Sequence, residues 1–205
     1  MLDNKRLCCF QIKNGLLNSC TYILYKEEEK FVWLIDCGDY DQIHNWLKNN
    51  NKVPLGVLLT HCHLDHIYGI NKLVDDYPDV TIFISKFNGI IGLRDCRLNT
   101  SKYTPEPYAV MTNRIHELDD NETILILKDT EVRTLKTDGH SPDSMSFIVE
   151  KWFFTGDAYI PSVKVVTRLP GGNKEQAQNS LFLIQNTISE KQLIVKPGHI
   201  TQEYE

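Results

Sequence analysis

The 205-residue sequence has no long hydrophobic run and no recognisable export signal. No window approaches the roughly 18 consecutive apolar residues that a membrane-spanning helix needs. The apolar stretch near the N-terminus is very short and is interrupted by Gln11 and Lys13, so it lacks the hydrophobic region of a secretory signal. We therefore expect a cytoplasmic protein that makes no contact with membranes.

Paired cysteines and an excess of positive charge are also missing. The six cysteines include no Cys-x-x-Cys spacing, which disfavours a zinc ribbon or a dithiol redox centre. The chain has 22 basic and 27 acidic residues, and a formal net charge of -5 disfavours a nucleic-acid-binding surface. With membranes and nucleic acid disfavoured as partners, we expect the protein to bind a small-molecule substrate. No feature of the sequence indicates an oligomeric state.

The hydrophobic patterns that are present predict two similar halves, each with strands, a helix and a further strand. This order favours an α+β fold in which helices cover two packed sheets, a four-layered αββα sandwich. The length of the chain suits one domain over residues 1–205. The predicted strands are 7–13, 19–25, 31–38, 53–60, 80–85, 123–127, 130–137, 144–150, 151–157 and 192–196, and the predicted helices lie near 43–47, at 67–79 and at 175–189.

The stretch LLTHCHLDHIYG, which follows an apolar run, concentrates four metal-binding side chains in six positions. His61 and His63 stand two residues apart, so an extended backbone points both to the same side. If a helix begins near His66, Asp65 and His66 are turned towards a neighbouring position, where a second ion can lie. Cys62 should face away and pack in the core.

Three further candidate ligands follow predicted strands: His140 in DGHSPDS, Asp157 in FFTGD and His199 in VKPGH. Working residues commonly gather at strand ends, where a rigid scaffold presents converging loops. Imidazole and carboxylate ligands without thiolate suit zinc, and they also accept iron or manganese. Asp36, in LIDCGD, is interpreted as a supporting or turn residue rather than as a ligand.

The ordered motifs THxHxDHxxG, GHSPxS, TGD and PGH resemble the metallo-β-lactamase fold superfamily, most closely its glyoxalase II-type hydrolases. The resemblance extends over nearly the whole chain and implies two divalent metal ions, with zinc expected. It implies that His61, His63 and His140 bind one ion. It also implies that Asp65, His66 and His199 bind the other, and that Asp157 bridges the two.

The resemblance implies a hydrolase in which a metal-bound hydroxide attacks a small ester, thioester or lactone. Asp65 or Asp157 would hold the hydrogen of the hydroxide or pass a proton to the leaving group. Asp157 stands where antibiotic-hydrolysing members commonly have a cysteine, which argues against a β-lactamase. Two alternatives stay open: an iron-dependent persulfide dioxygenase that uses His61, His140 and Asp157, and a non-catalytic metal-binding module.

Two segments are candidates for contacts with substrate. Residues 86–120 lose clear periodicity and are interpreted as a lid or insertion, in which Tyr103 is a candidate contact. The loop after Asp157 carries Lys164 and Arg168, and Lys174 follows it. These three cations are candidates for binding an acidic substrate group.

Overall fold

The first half of the chain forms a six-stranded mixed sheet in a computed structural model that describes residues 6–200. Strands β1 to β3 are antiparallel, and β3 to β6 run parallel. The strands follow one another across the sheet in chain order. They are β1 (Cys8–Lys13), β2 (Cys20–Tyr25), β3 (Phe31–Ile35), β4 (Val53–Leu58), β5 (Thr81–Ser85) and β6 (Ile115–Leu118).

The second half forms a five-stranded sheet in the order β11-β10-β9-β8-β7. Only β10 and β11 pair in parallel, whereas the other neighbours are antiparallel. The parallel pair requires a long connection, and helix α5 (Lys174–Lys191) supplies part of it. The strands are β7 (Thr123–Ile126), β8 (Thr130–Lys136), β9 (Met145–Val149), β10 (Trp152–Gly156) and β11 (Ile194–Pro197).

The structure has four layers, which are the first helices, the first sheet, the second sheet and helix α5, and a hydrophobic cluster lies at each of the three interfaces. The first cluster packs helices α1 (Tyr40–Asn49) and α3 (Ile70–Asp76) on the outer face of the first sheet. The second fills the space between the sheets, and the third packs α5 on the second sheet through Ile184. The αββα prediction is therefore confirmed. No helix within residues 6–200 is both long and apolar enough to cross a bilayer.

The helix predicted for residues 67–79 is divided in the structure. Helix α2 (Leu64–Ile67) ends before Gly69, and α3 then continues to Asp76. A side chain at Gly69 would place its Cβ 2.4 Å from the carbonyl oxygen of Gly38. This close backbone approach fixes α2, and with it Asp65 and His66, against the end of the first sheet.

The predicted lid is more structured than its sequence indicates. Residues 86–120 contain helix α4 (Gly89–Arg94), a 3-10 turn (Ser101–Tyr103) and strand β6. The end of the segment therefore belongs to the first sheet. Strand β6 lies at the edge, and its central His116 and Glu117 are exposed, so the hydrophobic alternation that identifies a strand is absent.

The third core cluster gives a test of the fold that is independent of the site. Ile184 is fully buried on α5, whereas Phe182 on the same helix is 69% exposed. We predict that Ile184→Ala lowers the free energy of unfolding by about 2 to 5 kcal/mol. Phe182→Ala should change it by less than about 0.5 kcal/mol. Urea denaturation measures both values, and equal losses would contradict this packing.

Candidate metal centre

Four segments that follow strands converge at one edge of the two sheets. His61 and His63 follow β4, His140 lies between β8 and β9, Asp157 follows β10, and His199 follows β11. Because β3 and β4 run parallel, Asp36 emerges beside the histidine motif. The structure thus brings together all seven residues of the motifs, although they are up to 138 positions apart in sequence (199 − 61).

The side chains form three overlapping groups whose donor atoms lie within 4.8 Å of one another. The groups are His61 with His63 and His140; His61 with His66 and Asp157; and Asp65 with His66 and His199. The first and third match the two ion sites implied by the family resemblance. Asp157 lies between them, with Oδ2 3.5 Å from His140 Nε2 and 3.2 Å from His199 Nε2.

Unpaired polar atoms support the interpretation that this cluster holds cations. Among residues 6–200, five buried side-chain nitrogen or oxygen atoms have no hydrogen-bond partner. Two of the five are in this cluster and face its centre: His61 Nε2 and Asp157 Oδ1. His63 instead turns Nδ1 towards His140 Nε2, at 2.9 Å, so its unpaired Nε2 is not the candidate ligand atom. Buried polar atoms are nearly always satisfied, so such a concentration needs an explanation. Bound divalent cations explain it, because these nitrogen and oxygen donors are suitable metal ligands.

The protonation states of the first group suit metal binding. Burial, together with the nearby imidazoles of His66 and His140, holds the pKa of His61 well below its usual value. Burial also lowers the pKa of His63, to about 3, and the neighbouring His140 adds to that effect. Both rings are therefore neutral at pH 7 and have a free lone pair, which is the form that binds metals.

The second group combines carboxylates with basic imidazoles. Burial alone would raise the pKa of Asp157, but the hydrogen bond from His199 and the charge of His66 hold it well below its usual value. Burial opposes protonation of His66, yet Asp65 and Asp36 raise its pKa to about 9. The carboxylates are thus ionised, whereas His66 and His199, whose pKa is raised to about 11, hold protons at pH 7 that a bound cation would displace.

Four of the five cluster histidines are oriented through their second ring nitrogen. Nδ1 of His66 lies 2.9 Å from Asp36 Oδ2, and that of His61 lies 3.2 Å from Thr60 Oγ1. Backbone carbonyls hold the other two rings. Nδ1 of His140 lies 2.8 Å from the carbonyl oxygen of Val166, and Nδ1 of His199 lies 3.0 Å from that of Leu17. Such contacts fix each ring so that Nε2 faces the centre of the cluster.

Asp36 supports the cluster without entering its centre. It adopts a left-handed conformation (φ 59°) and accepts hydrogen bonds from both the Thr60 amide (2.7 Å) and the Thr60 hydroxyl (2.8 Å). One buried carboxylate therefore joins the end of β3, the residue before His61, and His66. The geometry agrees with the interpretation of Asp36 as a supporting residue.

Sequence reasoning did not identify several other supporting residues. The Ser19 hydroxyl donates to the carbonyl of Asp65 (2.7 Å), and the Tyr22 hydroxyl donates to the carbonyl of Pro197 (2.7 Å). The amide of Cys20 also donates to Gly198 O (2.7 Å). The start of β2 therefore holds the loops that carry Asp65 and His199. All three residues lie in the run NSCTYIL, for which the sequence predicts only a strand.

The cluster opens into a cleft of about 490 Å³. Tyr103 lines this cleft, which supports its place among the candidate substrate contacts. The three cations predicted to bind an acidic substrate group do not line this cleft. Lys164 borders a narrow side recess, and Lys174 lines a groove beside α5. Arg168 lines none of these three cavities. Cys62 packs in the first core cluster, as strand alternation predicts.

Two sheets between helices, with imidazoles and carboxylates gathered at converging strand ends, define a metallo-hydrolase type of fold. Residues 15–187 match the sequence profile of the metallo-beta-lactamase superfamily, and the chain belongs to that superfamily. The resemblance stated from the motifs is thus confirmed.

Individual relatives are similar at modest identity. A hydroxyacylglutathione hydrolase of Pseudoalteromonas translucida is 27% identical over 126 residues, which are 62% of this chain but only 40% of that protein. A probable metallo-hydrolase, YqgX of Bacillus subtilis, is 27% identical over 90% of this chain and 86% of its own length. The crystal structure of the BLEG-1 B3 metallo-beta-lactamase superimposes with a TM-score of 0.84 at 28% identity, covering 95% of this chain and 92% of that one.

We predict that Asp36→Asn weakens metal binding by about 10- to 100-fold while the fold is kept. Asparagine tolerates the left-handed backbone, but its amide cannot accept all three hydrogen bonds that the carboxylate accepts. Competition with a chromophoric chelator measures the affinity. Unchanged affinity would show that Asp36 does not orient His66.

The PGH motif gives a second test. A Cβ at Gly198 would lie 2.2 Å from Asp157 Oδ1 and 3.0 Å from His66 Cε1. We predict that Gly198→Ala displaces Asp157 and reduces metal affinity at least about tenfold, the order found when ligand support is lost. Gly15→Ala is the matched control, because its Cβ would meet only Asp39 Oδ2, at 3.4 Å. Equal affinities of the two variants would contradict the geometry.

Proposed function

We propose that the protein is a binuclear metal-dependent hydrolase that cleaves a small ester, thioester or lactone. The observation that carries this proposal is that the buried, unpaired donor atoms His61 Nε2 and Asp157 Oδ1 lie in one cluster in which His63 Nδ1 and His140 Nε2 are only 2.9 Å apart. A structural zinc site closes at four ligands and often uses cysteine, whereas these seven side chains include no thiolate and border an open cleft.

The seven side chains fit two divalent cations, for which zinc is our expectation and iron or manganese the alternatives. His61, His63 and His140 would hold one ion, Asp65, His66 and His199 the other, and Asp157 would contact both. Two such ions, when bound, supply a water molecule of lowered pKa and polarise the substrate carbonyl.

The chain's own contribution is to place carboxylates where protons are transferred. Both Asp65 and Asp157 line the cleft, so each can meet a water molecule or a leaving group there. Burial opposes ionisation of Asp65, but the charge of His66 and the hydrogen bond from His199 lower its pKa. Asp65 is therefore an ionised acceptor that can take a proton from water and return it to the leaving oxygen or sulfur.

A β-lactam is the second substrate class to test. The B3 metallo-beta-lactamase is 28% identical over nearly the whole chain, and its name supports this choice. Hydrolysis of a β-lactam, like that of a lactone, requires attack on a ring carbonyl, and the leaving nitrogen must in addition be protonated. The aspartate at position 157 still favours the ester, thioester and lactone classes.

Metal removal tests the proposal. We predict about two divalent ions per chain in the purified protein, because seven side chains exceed the needs of one ion. Chelation should abolish hydrolysis of a panel of esters, thioesters, lactones and β-lactams, and added zinc should restore it. Elemental analysis and initial rates are the measurements.

Other outcomes identify the alternatives. Retained iron together with oxygen consumption on a persulfide would favour the dioxygenase. Metal binding without turnover of any substrate would favour the non-catalytic module. Asp65→Asn is the matched variant: it should abolish turnover, whereas Asp39→Asn, outside the cluster, should leave it near the wild-type rate.

A further inference from the structure

The cleft beside the metal centre has an apolar lining. Most of its accessible surface belongs to carbon atoms, and Thr100 and Thr104 contribute its only hydroxyl side chains besides Tyr103. Apart from the residues of the metal centre, the lining contains no charged side chain. The apolar wall consists of Leu16, Leu17, Leu64, Tyr103, Val166 and Leu169.

The nearby cations are poorly placed to bind a substrate anion in this cleft. Lys164 borders a recess of about 30 Å³ that His140 and Asp157 also line, which has room for water but not for a substrate group. Lys174 faces a different groove. The Nζ of Lys102 lies 4.8 Å from the centre of the Tyr103 ring although Lys102 is not part of the lining, so its contribution needs a direct test.

Leu17 links this apolar wall to the metal centre. Its backbone has φ 54°, a left-handed conformation that is unfavourable for leucine, and its carbonyl oxygen lies 3.0 Å from His199 Nδ1. Its side chain is 69% exposed at the cleft. Strained backbone concentrates at functional sites, and an exposed leucine there gains from an apolar group that covers it.

We propose that this cleft binds the acyl chain of a neutral substrate, so that the preferred esters or thioesters carry an uncharged, medium-length alkyl chain. The proposal rests on the hydrolase function proposed above and names its substrate class. In the reaction, the carbonyl carbon gains a bond to a water oxygen and loses its bond to the leaving oxygen or sulfur. One water proton passes to the leaving group, and the other is released with the carboxylic acid.

The first experiment compares acyl chains on the metal-loaded protein. Acetyl, butanoyl, hexanoyl and octanoyl esters of one leaving group are measured beside the adipoyl monoester, which has the carbon count of hexanoyl and a terminal carboxylate. We expect kcat/KM to rise about three- to fourfold per methylene, through KM, until the chain fills the cleft. We also expect hexanoyl to exceed adipoyl by at least about tenfold, since a buried carboxylate would lack a partner.

Substitutions in the apolar wall test whether it causes the preference for long, uncharged acyl chains. Leu169→Ala should lower the ratio of hexanoyl to acetyl kcat/KM about five- to tenfold. Leu169→Lys should reverse the preference towards adipoyl. Met111→Ala, at a residue that is 80% exposed and outside the lining, is the control and should behave as wild type.

A binding measurement separates this proposal from the proposed hydrolase function. Octanamide, a neutral amide, should bind the metal-loaded protein in calorimetry with a negative heat-capacity change, and Leu169→Ala should weaken it about fivefold. Octanamide binding without turnover of any ester would overturn the hydrolase function alone. Turnover that is independent of chain length, or an adipoyl preference that Lys102→Ala abolishes, would overturn the acyl-chain proposal alone.

Discussion

The carboxylate of Asp36 makes the interaction on which the candidate site depends. It receives the amide and the hydroxyl of Thr60 and lies against Nδ1 of His66, so it joins two parallel strands to a short helix. An isolated carboxylate in the interior would be unstable, because burial disfavours its charged form. The three contacts make the charge tolerable and, in doing so, fix the positions of His61 and His66.

The rest of the fold brings the remaining donors to the same place. The two sheets pack through a core that includes Phe147 and Phe154, and the segments that follow β10 and β11 therefore reach the edge where the histidine motif begins. Parallel pairing of β10 with β11 places Asp157 and His199 side by side. The cluster is thus a consequence of strand order and sheet packing rather than of local sequence alone.

Much of this arrangement could be predicted from the sequence because its signals are local. The apolar strands and the motifs at strand ends each occupy a few consecutive residues. Strand β6 could not be predicted, since its place at a sheet edge removes hydrophobic alternation. The backbone carbonyls of Leu17 and Val166 that orient His199 and His140 give no side-chain signal. The apolar character of the cleft arises from distant segments, and loop charges alone suggested an anion site instead.

The central claim is that seven nitrogen and oxygen donors hold two cations in one pocket, and X-ray absorption spectroscopy of the purified protein tests it most directly. We predict that each metal ion has a first shell of nitrogen and oxygen atoms at about 2.0 to 2.2 Å and no sulfur at about 2.3 Å. We also predict a second metal ion at about 3.5 to 4 Å. A sulfur shell, or a single ion with four protein ligands and no metal neighbour, would contradict it.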